Sequence, residues 1–169
     1  VANEQKLNIK GICAAPFFNK MSVSAEDGME KSYNEIFKIL TLLKRDDLKE
    51  NVYKGSRDFL CDENTPQPSA AADFLAKLSD NYSPENPLYI IAIGAITNVA
   101  SAILKNPSMK ENCVIVWLGG HAVHVPDGAK EFNMMQDIAS ARIIFGCGVP
   151  LVQLPCFGVV DYFATSKYE

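Results

Sequence analysis

The residues best equipped for chemistry gather in one short stretch. Glu131 and Asn133 stand two apart, beyond a Gly119-Gly120 pair that closes the apolar run Cys113-Val114-Ile115-Val116-Trp117. A carboxylate accepts hydrogen bonds from hydroxyls, and a side-chain amide both donates and accepts, so the pair suits a polyhydroxylated ligand. In extended backbone alternate residues share a face, which would aim both groups at the ligand while Phe132 anchors in the core. His121 and His124 lie three apart in the intervening loop with Asp127 nearby. No cysteine is in local reach to complete the four ligands of a structural zinc site. The histidines fit either pocket-lining or plain loop residues, and a transition-metal site fits least. Asp137 fits an N-cap, and Thr97-Asn98 fits a helix start whose side chains accept from free backbone N–H groups. Asn19 follows the first apolar run.

These groups need a scaffold, and the chain supplies alternating strand and helix patterns, the order of an α/β domain built on a parallel sheet. Leu7 to Ala14 reads as the first strand, followed by a long loop from Ala15 to Glu30. Ser32 to Leu43 fits an amphipathic helix with Ile36, Ile39, Leu40 and Leu43 on one stripe. A short strand at Val52-Tyr53 precedes a polar, proline-bearing connection, and Ala70 to Leu78 is helical with Ala71, Phe74, Leu75 and Leu78 inward. Leu88 to Ile93 is continuously apolar, as expected of a strand buried on both faces. A helix from Val99 to Leu104 ends at Asn106-Pro107. The Cys113 strand, a helix from Asp137 and a last strand from Pro150 to Pro155 complete the order. Candidate polar groups all follow strands, where an open α/β sheet binds its ligands.

At 169 residues with 48% hydrophobic content, the chain is one domain with ample material for a core. A net charge of -4 with scattered lysines and arginines argues against a nucleic-acid scaffold. No apolar run reaches the roughly 20 residues of a membrane helix. The amino terminus lacks the regions of a signal peptide. Five cysteines without CxxC spacing read as reduced thiols of an intracellular protein. There is no GxGxxG after a strand, no phosphate-binding GxxxxGK[ST] and no GxSxG elbow.

Taken in order, Ile93-Gly94-Ala95-Ile96-Thr97-Asn98-Val99-Ala100 with Pro107, Trp117-Leu118-Gly119-Gly120, Glu131-Phe132-Asn133 with Asp137, and Gly148-Val149-Pro150 resemble the inosine-uridine-preferring nucleoside hydrolases. That resemblance implies a Rossmann-like α/β fold, an open and mostly parallel sheet with helices on both faces. It implies hydrolysis of the N-glycosidic bond of ribonucleosides with a bound Ca²⁺, in a cytoplasmic homo-oligomer, dimer or tetramer, serving nucleoside salvage. On the substrate side it implies Asn19, Leu118, Glu131 and Asn133, joined by His121 and His124, one of which would protonate the leaving base. The backbone carbonyl of Ile93 would ligate the metal.

The family's aspartate-rich motif, which supplies the general base and most calcium ligands, is not found. Residues 1–169 therefore resemble the central part of a single longer domain, with the base expected upstream of Val1. Leu118 replaces the family's methionine, Ile93 stands where the family has threonine, and Ile138 follows Asp137 in place of proline. Asn19 follows Pro16-Phe17-Phe18, where the family has glycine before asparagine. The histidines of the loop replace an asparagine. These departures bear on nucleobase preference more than on the reaction. The alternative expectation is a ribose-binding module without chemistry, or a structural fragment of a larger assembly.

Overall fold

The computed structural model describes residues 6–125 and 130–165, so Asp127 lies outside the described residues. Its elements follow in the order β1 (Ile12–Cys13), α1 (Ala25–Leu42), β2 (Val52–Tyr53), α2 (Ala70–Ser79), β3 (Leu88–Ala92), α3 (Thr97–Lys105), α4 (Met109–Asn112), β4 (Cys113–Leu118), α5 (Phe132–Gln136), α6 (Ile138–Gly146) and β5 (Leu151–Leu154). A 3-10 turn at Asp46–Asn51 leads into β2, and another at Val160–Tyr162 follows β5.

All strand pairing in the two sheets is parallel. β1 pairs with β2, and β4 lies between β3 and β5. Around β1–β2 the helices lie on both faces. Val52 packs with Leu40 of α1, while the Tyr53 ring stacks on Phe74 of α2 with centroids 3.9 Å apart. On β3–β4–β5 one face, carrying Leu88, Ile90, Cys113, Ile115 and Trp117, joins residues of α2, α3 and α6 in the main core. The other face carries Tyr89, Ile91 and Val152, which are 65%, 56% and 48% exposed. Leu88 to Ile93 was expected to be buried on both faces. Here its alternate residues divide into a packed row and an open one.

The first strand is shorter than its apolar run, since among the described residues only Ile12–Cys13 finds a ladder partner. Helix α1 begins at Ala25, well inside the expected loop, because Ser24 caps it by accepting from the Asp27 N–H at 3.1 Å. Glu26 and Asp27 then sit in its first turn, favoured by the helix dipole. The buried side of α1 also departs from the expected stripe. Tyr33, Ile36, Phe37 and Leu40 pack toward β2, whereas Ile39 and Leu43 are exposed.

Candidate functional site

Two glycines shape the end of β4, each for a different steric reason. The Trp117 indole folds back over Gly119, where a Cβ would lie 2.4 Å from its ring, and the indole N–H donates to the Gly94 carbonyl at 3.0 Å. Gly120 adopts φ +77°, a conformation that side chains rarely tolerate. The turn is closed by Gln153, which donates to the Gly119 carbonyl at 2.9 Å, and by the Cys156 N–H, which donates to that of Gly120 at 2.8 Å. The loops after β3, β4 and β5 are thus joined at one rim.

Residues 131–137 then staple that rim. The Glu131 carboxylate accepts from three backbone N–H groups, those of Gly120, Asn133 and Met134, each at 2.9 Å. It caps α5 and holds it against the glycine turn. The Asn133 amide donates to the Leu118 carbonyl at 2.9 Å and more distantly, at 3.4 Å, to that of Ile93. Gln136 forms paired bonds with the peptide of Phe18 in the loop after β1. Asp137 is buried and accepts from Leu60 N, Thr97 Oγ1, Ser140 N and Ser140 Oγ, at 3.0, 2.6, 2.8 and 2.6 Å. One short segment thereby reaches the loops after β1, β2, β3 and β4.

This geometry corrects the extended reading of Glu131-Phe132-Asn133. The chain turns helical at Phe132, whose side chain is 43% exposed and does not anchor the core. Glu131, at 4% exposure, faces inward to its N–H donors. Asn133 keeps its carbonyl oxygen without a protein partner among the described residues, so it has an acceptor to offer a ligand. Asp137 caps α6 as expected.

Thr97 and Asn98 do open α3, yet neither caps it. Thr97 donates to Asp137. Asn98 donates to the Ala14 carbonyl at 2.8 Å and accepts from both N and Oγ of Ser56, at 2.8 and 2.9 Å. These bonds tie the end of β1, the turn after β2 and the start of α3 together. Gly55 completes the junction, because a Cβ there would lie 1.9 Å from the Ala14 oxygen.

The remaining expected residues fall on the same side of the sheet. Asn19 is exposed, its side-chain oxygen accepting from Met21 N at 2.8 Å. Its loop reaches α5 through Phe18. His121 accepts the Phe157 N–H on Nδ1 at 3.2 Å, and the two rings lie 4.8 Å apart. Nδ1 as acceptor places the proton of the neutral imidazole on Nε2. His124 is exposed, its ring against Gly158.

Among the described residues no three His, Cys, Asp or Glu side chains form a metal-binding group. Calcium takes 6–8 oxygen ligands, and the Ile93 carbonyl alone is far from such a set. The described residues therefore do not by themselves fit a calcium site. An open cleft of about 630 Å³, lined among others by Cys61, Asp62, Gln136, Asp137 and Ile138, touches the end of the staple but has none of Asn19, Leu118, His121, His124, Glu131 or Asn133 in its wall.

Sequence reasoning missed Gln136 and Ser56, and it read Trp117 as strand and motif without its hold on Gly119 and Gly94. Gln136 and Phe18 are 118 positions apart, and no local pattern announces their contact.

Parallel sheets packed with helices, their strand-end loops joined by the glycine turn and the staple, define the class of α/β proteins. Residues 6–163 match the family described as inosine-uridine preferring nucleoside hydrolase, and the chain belongs to that family. Among curated proteins it is similar to the pyrimidine-specific ribonucleoside hydrolase RihA of Citrobacter koseri, 27% identical over 82% of this chain and 52% of the relative. It is also similar to the proteins of that name from Salmonella paratyphi A, 27% identical over 73% and 46%, and Klebsiella pneumoniae, 25% identical over 82% and 52%. The chain spans about half the length of these relatives. No helix among the described residues is long and apolar enough to cross a membrane.

Proposed function

We propose that the protein carrying this chain hydrolyses the N-glycosidic bond of ribonucleosides to free base and ribose, and that this chain supplies the sugar-side wall of the site. The observation that carries this reading is the fixed Asn133 amide at the joined ends of β3 and β4, in a chain of the nucleoside hydrolase family. Cleaving a ribosyl C–N bond develops positive charge on the sugar, as in glycoside hydrolysis. The work assigned to this chain is orientation of the sugar.

Both amide protons of Asn133 are directed at strand-end carbonyls, which leaves its oxygen to accept from a ribose hydroxyl. The side-chain N–H₂ of Asn19, without a protein acceptor among the described residues, is a donor on the neighbouring loop. Glu131 serves this site first through Asn133, because its carboxylate fixes the backbone from which the amide projects. A carboxylate has about four acceptor positions, so one remains beyond the three N–H groups. His121 is the better held of the two histidines, and its Nε2–H is the hydrogen-bond donor we assign to the departing base. With Nδ1 taken up as an acceptor, the ring offers that base a hydrogen bond and not a proton. A carboxylate that deprotonates water, and the oxygen ligands of the calcium that the family resemblance implies, are assigned to parts of the protein outside residues 1–169.

The relatives named above are pyrimidine-specific, so uridine and cytidine are the first substrates to try, with inosine and adenosine beside them. Free thiols at all five cysteines favour the reducing cytoplasm as the compartment. Incubation of the intact protein with each nucleoside and calcium, followed by chromatography, is expected to release base and ribose without phosphate. A folded intact protein that leaves every ribonucleoside whole would refute the hydrolase reading and favour a ribose-binding module.

A further inference from the structure

We propose that Gln136 is a positioning residue for Asn19, acting through the peptide of Phe18. This inference rests on the hydrolase reading above and assigns a role to a residue outside the site as so far described. The Gln136 Oε1 accepts the Phe18 N–H at 2.6 Å, and its Nε2 donates to the Phe18 carbonyl at 3.2 Å. The two bonds pair an amide side chain with both polar groups of one residue, as a neighbouring strand would. Only one orientation of the side-chain amide satisfies both.

The loop is held on its other flank independently. Ser22 Oγ donates to the Phe17 carbonyl at 3.0 Å and accepts the Asn19 N–H at 3.1 Å. Gly28 of α1 lies so close that a Cβ would meet the Phe17 oxygen at 1.9 Å. The path of the chain through Phe17 is thus set by α1, whatever occupies position 136. The Phe18–Asn19 peptide is held from two sides, Ser22 accepting its N–H and Gln136 donating to its carbonyl, and Gln136 adds the second hold together with a bond to the Phe18 N–H. Because Gln136 and Asn133 share α5, the clamp places Asn19 in register with the amide fixed on Leu118 and Ile93. Two groups from distant parts of the sequence then approach one ribose as a unit. The clamp is exposed, so its loss costs the fold little while it frees the loop.

Three variants of the full-length protein test this: Gln136→Leu, Gln136→Glu and Asn19→Ala, with the double variant Asn19→Ala/Gln136→Leu. Gln136→Leu removes both bonds and is expected to raise KM about three- to tenfold, the size of one neutral hydrogen bond, with kcat within about twofold because ground and transition states are affected alike. Gln136→Glu keeps the acceptor for the Phe18 N–H and loses the donor, so it is expected to lie between. If Gln136 acts through Asn19, the double variant is no worse than Asn19→Ala, a non-additivity that separate structural damage does not give.

Amide exchange supplies a readout independent of activity. The Phe18 N–H is expected to be protected in the wild type, still protected in Gln136→Glu, and fast in Gln136→Leu. Equal exchange in the wild type and Gln136→Leu, an unchanged KM in a folded Gln136→Leu, or additive effects in the double variant would each overturn the proposal. Should Gln136→Leu fail to fold, Gln136→Glu decides by KM and by its double variant with Asn19→Ala, where an unchanged KM or additive effects overturn the proposal. A wild type that cleaves no nucleoside overturns the hydrolase reading and the proposal with it. Failure of the positioning role alone leaves an active wild type.

Discussion

Asn98 reaches 84 positions back along the chain to donate its side-chain amide to the Ala14 carbonyl at 2.8 Å. Its other end receives Ser56, so a single buried amide ties the paired ends of β1 and β2 to the start of α3, which no ladder joins to them. Asn98→Leu keeps much of the volume and strands the Ser56 N–H in the interior. A stranded buried group costs about 1–3 kcal/mol. The urea midpoint of unfolding is expected to fall accordingly, and Gly55→Ala, which drives a Cβ into the Ala14 oxygen, to be worse. An unchanged midpoint for Asn98→Leu would mean the junction is not held as described.

Glu131 is expected to reveal itself in stability before kinetics. Glu131→Ala removes the acceptor of three N–H groups, including that of the buried Gly120. Loss of an N-cap costs about 0.5–2 kcal/mol, and the stranded Gly120 N–H adds to it. Glu131→Gln retains one acceptor oxygen and should recover part of the loss. Equilibrium denaturation of the three proteins gives the order wild type, Glu131→Gln, Glu131→Ala. If Glu131→Ala instead matches the wild type in stability and loses only catalysis, the carboxylate belongs to the ligand and not to the turn.

Asn133 permits a sharper contrast. Its amide protons face the carbonyl oxygens of Leu118 and Ile93, so Asn133→Asp sets a carboxylate against two acceptors. Asn133→Asp is therefore expected to be less stable at neutral pH than Asn133→Ala. Asn133→Ala, which has no acceptor, should lose roughly three- to tenfold in kcat/KM if one neutral hydrogen bond to ribose is removed. Thermal or urea unfolding of the pair decides the first point. An Asp variant more stable than the Ala variant would place the amide the other way round.

The cysteines should separate by reactivity. Burial pushes the Cys13 thiol up to about 12 and that of Cys113 up to about 11. Little of either is thiolate at pH 8, the form that reacts with alkylating agents. Cys61 is exposed. Brief alkylation of the native protein at pH 8, read by peptide mass spectrometry, is expected to modify Cys61 and to spare Cys13 and Cys113 until denaturant is added. Labelling of Cys113 as fast as Cys61 would contradict the packing of β4.

Much of the scaffold was legible because its signals are local. The apolar runs of β3 and β4, the helix of Ala70 and the cap at Asp137 each announce themselves within a few residues. The start of α1 was hidden by Gly28, which reads as a loop residue although the helix needs it to lie against Phe17. The inner side of α1 was misassigned because Ile39 and Leu43 are as apolar as Ile36 and Leu40, and only the position of β2 selects between them. At the site, the motif put Glu131 and Asn133 beyond the end of β4, where the chain does carry them. It did not disclose that the first turns inward to Gly120, since that depends on a turn eleven residues away in sequence. Thr97 and Asn98 look like caps for the same reason. Their short polar side chains serve local and distant partners equally well, and the fold chose the distant ones.

The open row of Tyr89, Ile91 and Val152 on β3–β4–β5 has a thermodynamic consequence. Anything that lies across those side chains binds the folded chain and not the unfolded one, so it stabilises by mass action. The melting temperature is then a function of concentration and of company, rising as the face is covered. Two samples of this same polypeptide, differing only in what surrounds them, would report different stabilities without one internal bond having changed.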